Sequence, residues 1–397
     1  MATASTILSL HGKGLKLDTR ADIEPWIKDV DPAVIEGIHL GGNTIGVDAS
    51  KALAEFLEKT SVLKVADFAD IFTGRLISEI PLALSAICDA LKDKTSLVEI
   101  NLSDNAFGGR SVDPMVPFLT HNHSFQILRL TNNGLGPAGG AVIADALHES
   151  ARLSKAEGKT SKLHTVICGR NRLENGSATA WAEAFAAHGT LTDVRMPQNG
   201  IRMEGMTALA NGLSKCPALQ HIDFQDNTFT EDGSEMGVKA WADALSSWPD
   251  LTTLNLSDCV LSNEGEIPLL LKALTTGSNI KLQSLQLQNN NLEAQTFALL
   301  ADAISTHLSS IKTLELQWND AEEDDENLDT IADTLKQRGG KLFISDEDEE
   351  DEEAAKEEEE EEKEADVTAP SKSDVIPSAA DKAADALADL LNKVSIG

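Results

Sequence analysis

Apolar side chains recur along this chain in one pattern, L-x-x-L-x-L-x-x-N-x-L, whose alternating middle positions would line one face of a short strand. The pattern occupies 97–107, 125–135, 163–173, 191–201, 219–229, 251–261, 282–292 and 311–321, with an earlier copy at 35–45 and weaker ones at 8–15 and 63–73. Between these copies the period changes. Stretches such as 138–152, 178–188 and 296–307 place apolar residues at i, i+3, i+4 and i+7, which predicts amphipathic helices.

The asparagine of the pattern, or its equivalent, falls at 13, 43, 71, 105, 133, 171, 199, 227, 259, 290 and 319, so the repeat length runs from 28 to 38 residues. A unit of that length, with one strand and one helix, is a leucine-rich repeat, and no single unit can bury its own apolar face. About eleven of them predict an α/β solenoid, a ribonuclease-inhibitor-like crescent with a parallel sheet on one face and helices on the other. The repeated asparagine is expected to be buried and to satisfy backbone groups where the chain leaves each strand. Cys259 takes this place with a thiol, and Ile71 takes it with no polar atom at all. The turn around Ile71 is therefore expected to be irregular. The polar run 155–159 reads as a loop inserted behind a lengthened helix.

Charge adds a second level of organisation. The 397 residues carry a net charge of −32, and 346–366 alone holds 16 acidic residues and two lysines. The expected organisation is a repeat domain over 1–345, a disordered acidic tail over 346–378 and a short amphipathic helix over 379–397, with Leu387, Leu390, Leu391 and Val394 on one stripe. So acidic a chain repels nucleic-acid phosphates and anionic lipid and suits a basic protein partner. Cys88, Cys168, Cys216 and Cys259 are scattered with no metal-ligand spacing, so neither a disulfide framework nor a metal site is expected. The N-terminus lacks the apolar run of a signal peptide and no later stretch is long enough to span a membrane, which predicts a soluble, cytoplasmic protein.

Motifs for phosphate loops, zinc helices, nucleophile elbows and dinucleotide turns are absent, and none of the nine histidines falls into a convincing pattern with Ser or Cys. The chain is thus not expected to be an enzyme with its own active site. Function must instead rest on residues that break or project from the repeat. Arg75 follows Gly74 in the irregular third turn and is expected to project toward a partner carboxylate or phosphate. Asn132 precedes the ladder residue Asn133 and must point elsewhere, where its amide can both donate and accept; Arg170 stands in the same relation to Asn171. Each of the three also fits an ordinary solvent-facing side chain or turn former.

Several segments are unusual as repeat filler: Asp70-Ile71-Phe72-Thr73-Gly74-Arg75, Leu102-Ser103-Asp104-Asn105-Ala106-Phe107-Gly108, Asn132-Asn133-Gly134-Leu135-Gly136-Pro137, and the run from Ile167 to Ser177. In these segments, and over roughly residues 5–345, the chain resembles the Ran GTPase-activating protein family, which also carries an acidic tail. The resemblance implies a protein that binds Ran in its GTP form and stimulates hydrolysis. Ran-GDP is thereby maintained in the cytoplasm for nucleocytoplasmic transport. It further implies that no arginine finger is used, that Asn132 assists the partner's catalytic glutamine, and that Arg75, Asp70, Asp104 and Arg170 contact the partner. GTP and Mg²⁺ would be bound by the GTPase, no cofactor by this chain, and a Ran-binding accessory protein is a further candidate partner. Ile77 departs from relatives that carry a basic residue there, and no segment as large as the animal members' C-terminal domain follows the acidic run. The chain therefore resembles the shorter fungal form. The alternative reading is a non-catalytic repeat inhibitor or scaffold for a basic partner, although four cysteines are few for an inhibitor of the ribonuclease-inhibitor kind.

Overall fold

In the computed structural model, which describes residues 5–322 and 324–345, every copy of the pattern contributes one strand of three residues to a single sheet. Twelve parallel strands, from Ile7–Ser9 to Lys341–Phe343, lie in strict chain order. Each repeat thus hydrogen-bonds to the one before and the one after. The central residue of each strand points inward. Leu128 is in register with Val166, which pairs with Val194, and this file continues through Ile222, Leu254, Leu285 and Leu314, all fully buried. Each such side chain contributes roughly 1.5–3 kcal/mol of burial, so the core is a column that grows with every repeat.

The expected helices are present as Gly136–Ala156, Glu174–His188 and Ala294–Ile304. The first runs further than its apolar period suggests and absorbs Lys155 and Ala156; the loop begins only at Glu157 and Gly158, where the chain turns with φ +70°. Neighbouring helices pack side by side, and one hydrophobic cluster extends from Leu8 to Leu342. The acidic tail 346–378 and the helix 379–397 lie outside the described residues.

Buried asparagines tie consecutive turns together. The side-chain oxygen of Asn133 accepts the backbone N–H of Asn105, that of Asn171 accepts Asn133, and that of Asn199 accepts Asn171, each at 2.9 Å. Each amide NH₂ meanwhile donates to carbonyls at the ends of its own and the preceding strand, as Asn133 does to Leu130 and Leu102, both at 3.0 Å. The Cys259 thiol donates to Phe224 and Ser257 carbonyls at 3.3 Å, so sulfur does serve in place of the amide.

The Ile71 turn is more regular than its missing amide suggests. Ile71 is fully buried, and its own N–H is still accepted by Asn105 at 2.9 Å, because the acceptor comes from the following repeat. The residue before it, Asp70, adopts the same left-handed conformation found before each ladder residue elsewhere. Only the contribution that Ile71 would make to the preceding turn is lost.

Folding also joins two residues that the sequence leaves 27 apart: Ser161 Oγ lies 2.6 Å from Nδ1 of His188. His188 is buried at 8 % exposure, and burial, with His148 and His123 opposing its charge, holds its pKa down to about 4.

Two predictions follow from these buried polar groups. Asn199→Ala leaves the Asn171 N–H and the Cys168 carbonyl without the partner they have in Asn199, while the Met196 carbonyl keeps Asn227. It should cost about 3 kcal/mol in urea unfolding, and a loss below ~0.5 kcal/mol would contradict the ladder's importance. For His188 the folded pKa lies below the unfolded value, so its stabilisation is complete above pH 6.5 and is lost as pH falls toward 4. Between pH 7.5 and 4.5 the wild type should lose about 2.5 kcal/mol more than His188→Gln in the same urea assay.

Candidate functional site

The ladder amide reaches back to a carbonyl three residues earlier, which forces a tight turn between strand and helix. In all eleven repeats the residue just before the ladder position carries that turn with positive φ, between +46° and +75°. Gly12 and Gly42 open the series, followed by Asp70, Asp104, Asn132, Arg170, Gln198, Asp226, Asp258, Asn289 and Trp318. A left-handed backbone costs a residue with a Cβ about 1–2 kcal/mol, least for Asn and Asp, whose short polar side chains hydrogen-bond locally. Arginine at 170 and tryptophan at 318 gain no such relief, so the fold alone does not select them.

The backbones of this series form a second ladder. Asp104 N–H donates to Thr131 O at 2.8 Å, Asn132 N–H to Gly169 O at 2.9 Å, and Arg170 N–H to Pro197 O at 2.9 Å. Four of the residues singled out from the sequence, Asp70, Asp104, Asn132 and Arg170, therefore stand on four consecutive rungs of one rim. Asp104, Asn132 and Arg170 are exposed, and Asp70 is half-buried. Asn132 Nδ2 donates to Asp104 Oδ1 at 2.9 Å, while its amide oxygen has no hydrogen-bond partner among the described residues. The guanidinium of Arg170 is likewise unengaged among them.

Arg75 stands apart from the rim, and the expectation that it projects is wrong. Its side chain is only 9 % exposed and lies back across the first two repeats, donating to Asp18 Oδ1 at 2.5 Å, Thr44 Oγ1 at 2.8 Å and Thr44 O at 3.0 Å. Gly46 makes room for it, since a Cβ there would come within 3.1 Å of Arg75 Nη1 and 2.8 Å of Asp18 O. The Arg75 guanidinium is the largest influence holding the Asp18 carboxyl below the usual carboxylate range. Thr73, two residues earlier, donates to Asp70 Oδ1 at 2.5 Å and so links this loop to the rim.

Charge is graded along the solenoid. Residues 96–195, which include the Asp104, Asn132 and Arg170 rungs, hold nine acidic and nine basic side chains, whereas 196–345 holds 22 and nine. A phosphate-bearing ligand would thus meet no net repulsion at the Asn132 rung, while the later repeats attract basic surface.

The recess beside Asp70, bordered by Gly42, Asn43, Thr44 and Thr73, has a volume of about 180 Å³, too small for a nucleotide. Ser161 and His188 have no carboxylate hydrogen-bonded to the ring, and the imidazole Nε2 has no partner. Burial raises the pKa of all four cysteines, to about 12 for Cys168 and about 11 for Cys216, so none is a ready thiolate. No group of three His, Cys, Asp or Glu side chains among the described residues could hold a metal ion, and no described helix is long and apolar enough to cross a membrane.

The sequence pointed to part of this rim and missed the rest. Gln198, Asp226, Asp258, Asn289 and Trp318 occupy the same position as Asn132, and the signal was the enrichment in Gly, Asp and Asn one place before each ladder residue.

The family model described as Leucine Rich repeat matches residues 121–144 and 249–270. Ran GTPase-activating protein 1 of Saccharomyces cerevisiae is 37% identical over 335 residues, covering 82% of this chain and 81% of that protein. Ran GTPase-activating protein 1 of Xenopus laevis is 46% identical over 198 residues, covering 49% of this chain, and the Drosophila melanogaster Ran GTPase-activating protein is 36% identical over 217 residues, covering 54%. The aligned regions span 34% and 36% of those two longer proteins. Among solved structures, an internalin from Listeria monocytogenes aligns over 86% of each chain at 16% identity, with a TM-score of 0.42.

Proposed function

Because the chain belongs to the Ran GTPase-activating protein family, we propose that its Asn132 rim engages Ran in the GTP form and accelerates hydrolysis by orienting the GTPase's own catalytic glutamine. The observation that carries this reading is the free amide oxygen of Asn132, exposed on a backbone clamped from both neighbouring repeats.

Hydrolysis of the γ-phosphate needs an attacking water held in line and charge stabilised on the transferring group. In this reading GTP, Mg²⁺ and the phosphate loop belong to the partner, and this chain adds no metal or cofactor. Its contribution is positional. The partner's glutamine must direct its own carbonyl at the water, which leaves its NH₂ to be held, and the Asn132 oxygen accepts it. Arg170, one rung further, contacts the partner beside the nucleotide site, and Asp70 and Asp104 line the approach on the other side.

One observation favours a mechanism without an arginine finger at Arg75. Arg75 has its guanidinium committed to Asp18 and Thr44, and withdrawing it would break three hydrogen bonds, one of them an ion pair. Arg75 then serves the interface by fixing the loop that carries Thr73 and, through it, Asp70. Arginine fingers, where they operate, are worth about 10³–10⁵ in rate. Orienting a glutamine already present draws on the same entropy advantage without a new charge.

The surplus of acidic side chains in residues 196–345 supports a partner with basic surface and a fast, salt-sensitive encounter. Keeping Ran in its GDP form in the cytoplasm, for nucleocytoplasmic transport, is the cellular consequence. A Ran-binding accessory protein is a further candidate partner.

The test is GTP hydrolysis by Ran at saturating amounts of this protein. Asn132→Ala should lower the stimulated rate roughly a hundredfold with the far-ultraviolet circular dichroism unchanged. Full stimulation by the variant would remove Asn132 from the mechanism. No stimulation by the wild type would leave a repeat protein that only binds, the scaffold reading.

A further inference from the structure

An asparagine can present either its oxygen or its NH₂ to a partner, and only one of these serves the function proposed above. The side chain that decides between them is on the neighbouring rung. We infer that Asp104 is a positioning residue: its carboxylate fixes the Asn132 amide with the NH₂ turned inward along the rim and the oxygen left for the partner's glutamine. This inference rests on the reading of Asn132 given above and assigns Asp104 a role different from a partner contact.

Donors and acceptors decide which way the amide faces. Asp104 Oδ1 receives Asn132 Nδ2 at 2.9 Å, and an ionised carboxylate accepts hydrogen bonds but has none to give. Turning the amide over would set oxygen against oxygen and lose a charge-assisted hydrogen bond. The partner's glutamine, with its carbonyl given to water, offers only NH₂, so an inverted Asn132 would face donor with donor. Both backbones are held while this choice is made, Asp104 through Thr131 O and Asn132 through Gly169 O, and each is followed by a buried ladder asparagine. The orientation is therefore built before the partner arrives.

The same solenoid carries an internal control. Five rungs further along the rim, Asn289 Nδ2 donates to Asp258 Oδ1 at 2.7 Å, again with left-handed backbones on both residues and Asp258 N–H on Gln288 O at 2.8 Å. Whatever an aspartate–asparagine pair does for local stability, it does at both places. Orienting the amide that meets the glutamine falls to the first pair alone.

The experiment uses the full chain and measures steady-state GTP hydrolysis with Ran·GTP as the varied substrate. Asp104→Ala should lower kcat roughly tenfold with KM nearly unchanged, because contact area is retained and orientation is lost. Asp104→Asn should fall between, since its amide can accept from Asn132 or donate to it and so no longer selects one orientation. Asp258→Ala should leave kcat as in wild type, whatever the lost negative charge does to KM, and Asp104→Ala added to Asn132→Ala should cause no further loss of kcat. Three results would overturn the inference: a rise in KM alone with Asp104→Ala, which marks direct contact; equal losses of kcat for Asp104→Ala and Asp258→Ala; or additive losses of kcat in the double variant. Undiminished hydrolysis with Asn132→Ala removes the parent reading itself. A loss with Asn132→Ala but none with Asp104→Ala removes only the positioning role.

Discussion

The stack of repeats depends on an asparagine amide placed where eight of its strands end. A chain that leaves a strand inside a stack of identical strands strands polar backbone groups away from water, and each unpaired one costs about 1–3 kcal/mol. The asparagine side chain answers with one acceptor and two donors, reaching its own turn and the turn before it. Because each amide also serves the turn before it, no repeat is stable alone, and loss of one rung is felt in the preceding one. Ile71 shows how local the rule is: its N–H is still accepted by Asn105, and only what its own side chain would give the preceding turn is missing.

The same turn creates the proposed functional surface as a by-product. To bring the amide back to the strand end, the preceding residue must enter the left-handed region, and its side chain is then carried outward onto the rim. The solenoid thus displays one side chain per repeat, on a backbone clamped at both ends, with freedom to vary its chemistry. Rigid presentation is what a positional catalyst requires, since a group held within a fraction of an ångström loses little entropy when its partner docks. In the consecutive rungs Asp104, Asn132 and Arg170, an acceptor, an amide and a cation are placed side by side where the body has no net charge of its own.

Much of this was legible in the residues. The eleven ladder positions, the strands before them and the principal helices follow from periodicity, because burial of leucine imposes periods of two and of about three and a half that no other constraint disturbs. The resemblance to Ran GTPase-activating proteins rested on the segments around Asp70, Asn132 and Arg170, and the yeast relative carries it over 82% of the chain. Arg75 was misread because its partners, Asp18 and Thr44, lie 57 and 31 residues away and only the stacking of the first repeats brings them together. Likewise the Asp104–Asn132 contact spans 28 residues, one repeat, and is invisible until the register of adjacent turns is known. Periodicity reports which face a residue occupies; it does not report who its neighbour is.

The central claim is that this chain supplies orientation and no chemistry of its own. The most direct measurement is GTP hydrolysis by Ran whose catalytic glutamine has been replaced by leucine, at saturating amounts of the wild-type protein. The account predicts a rate no higher than that of the same Ran alone, because Asn132 then has nothing to hold. Acceleration approaching that seen with the intact glutamine would contradict it and show that a group on the rim, Arg170 foremost, acts on the phosphoryl group directly.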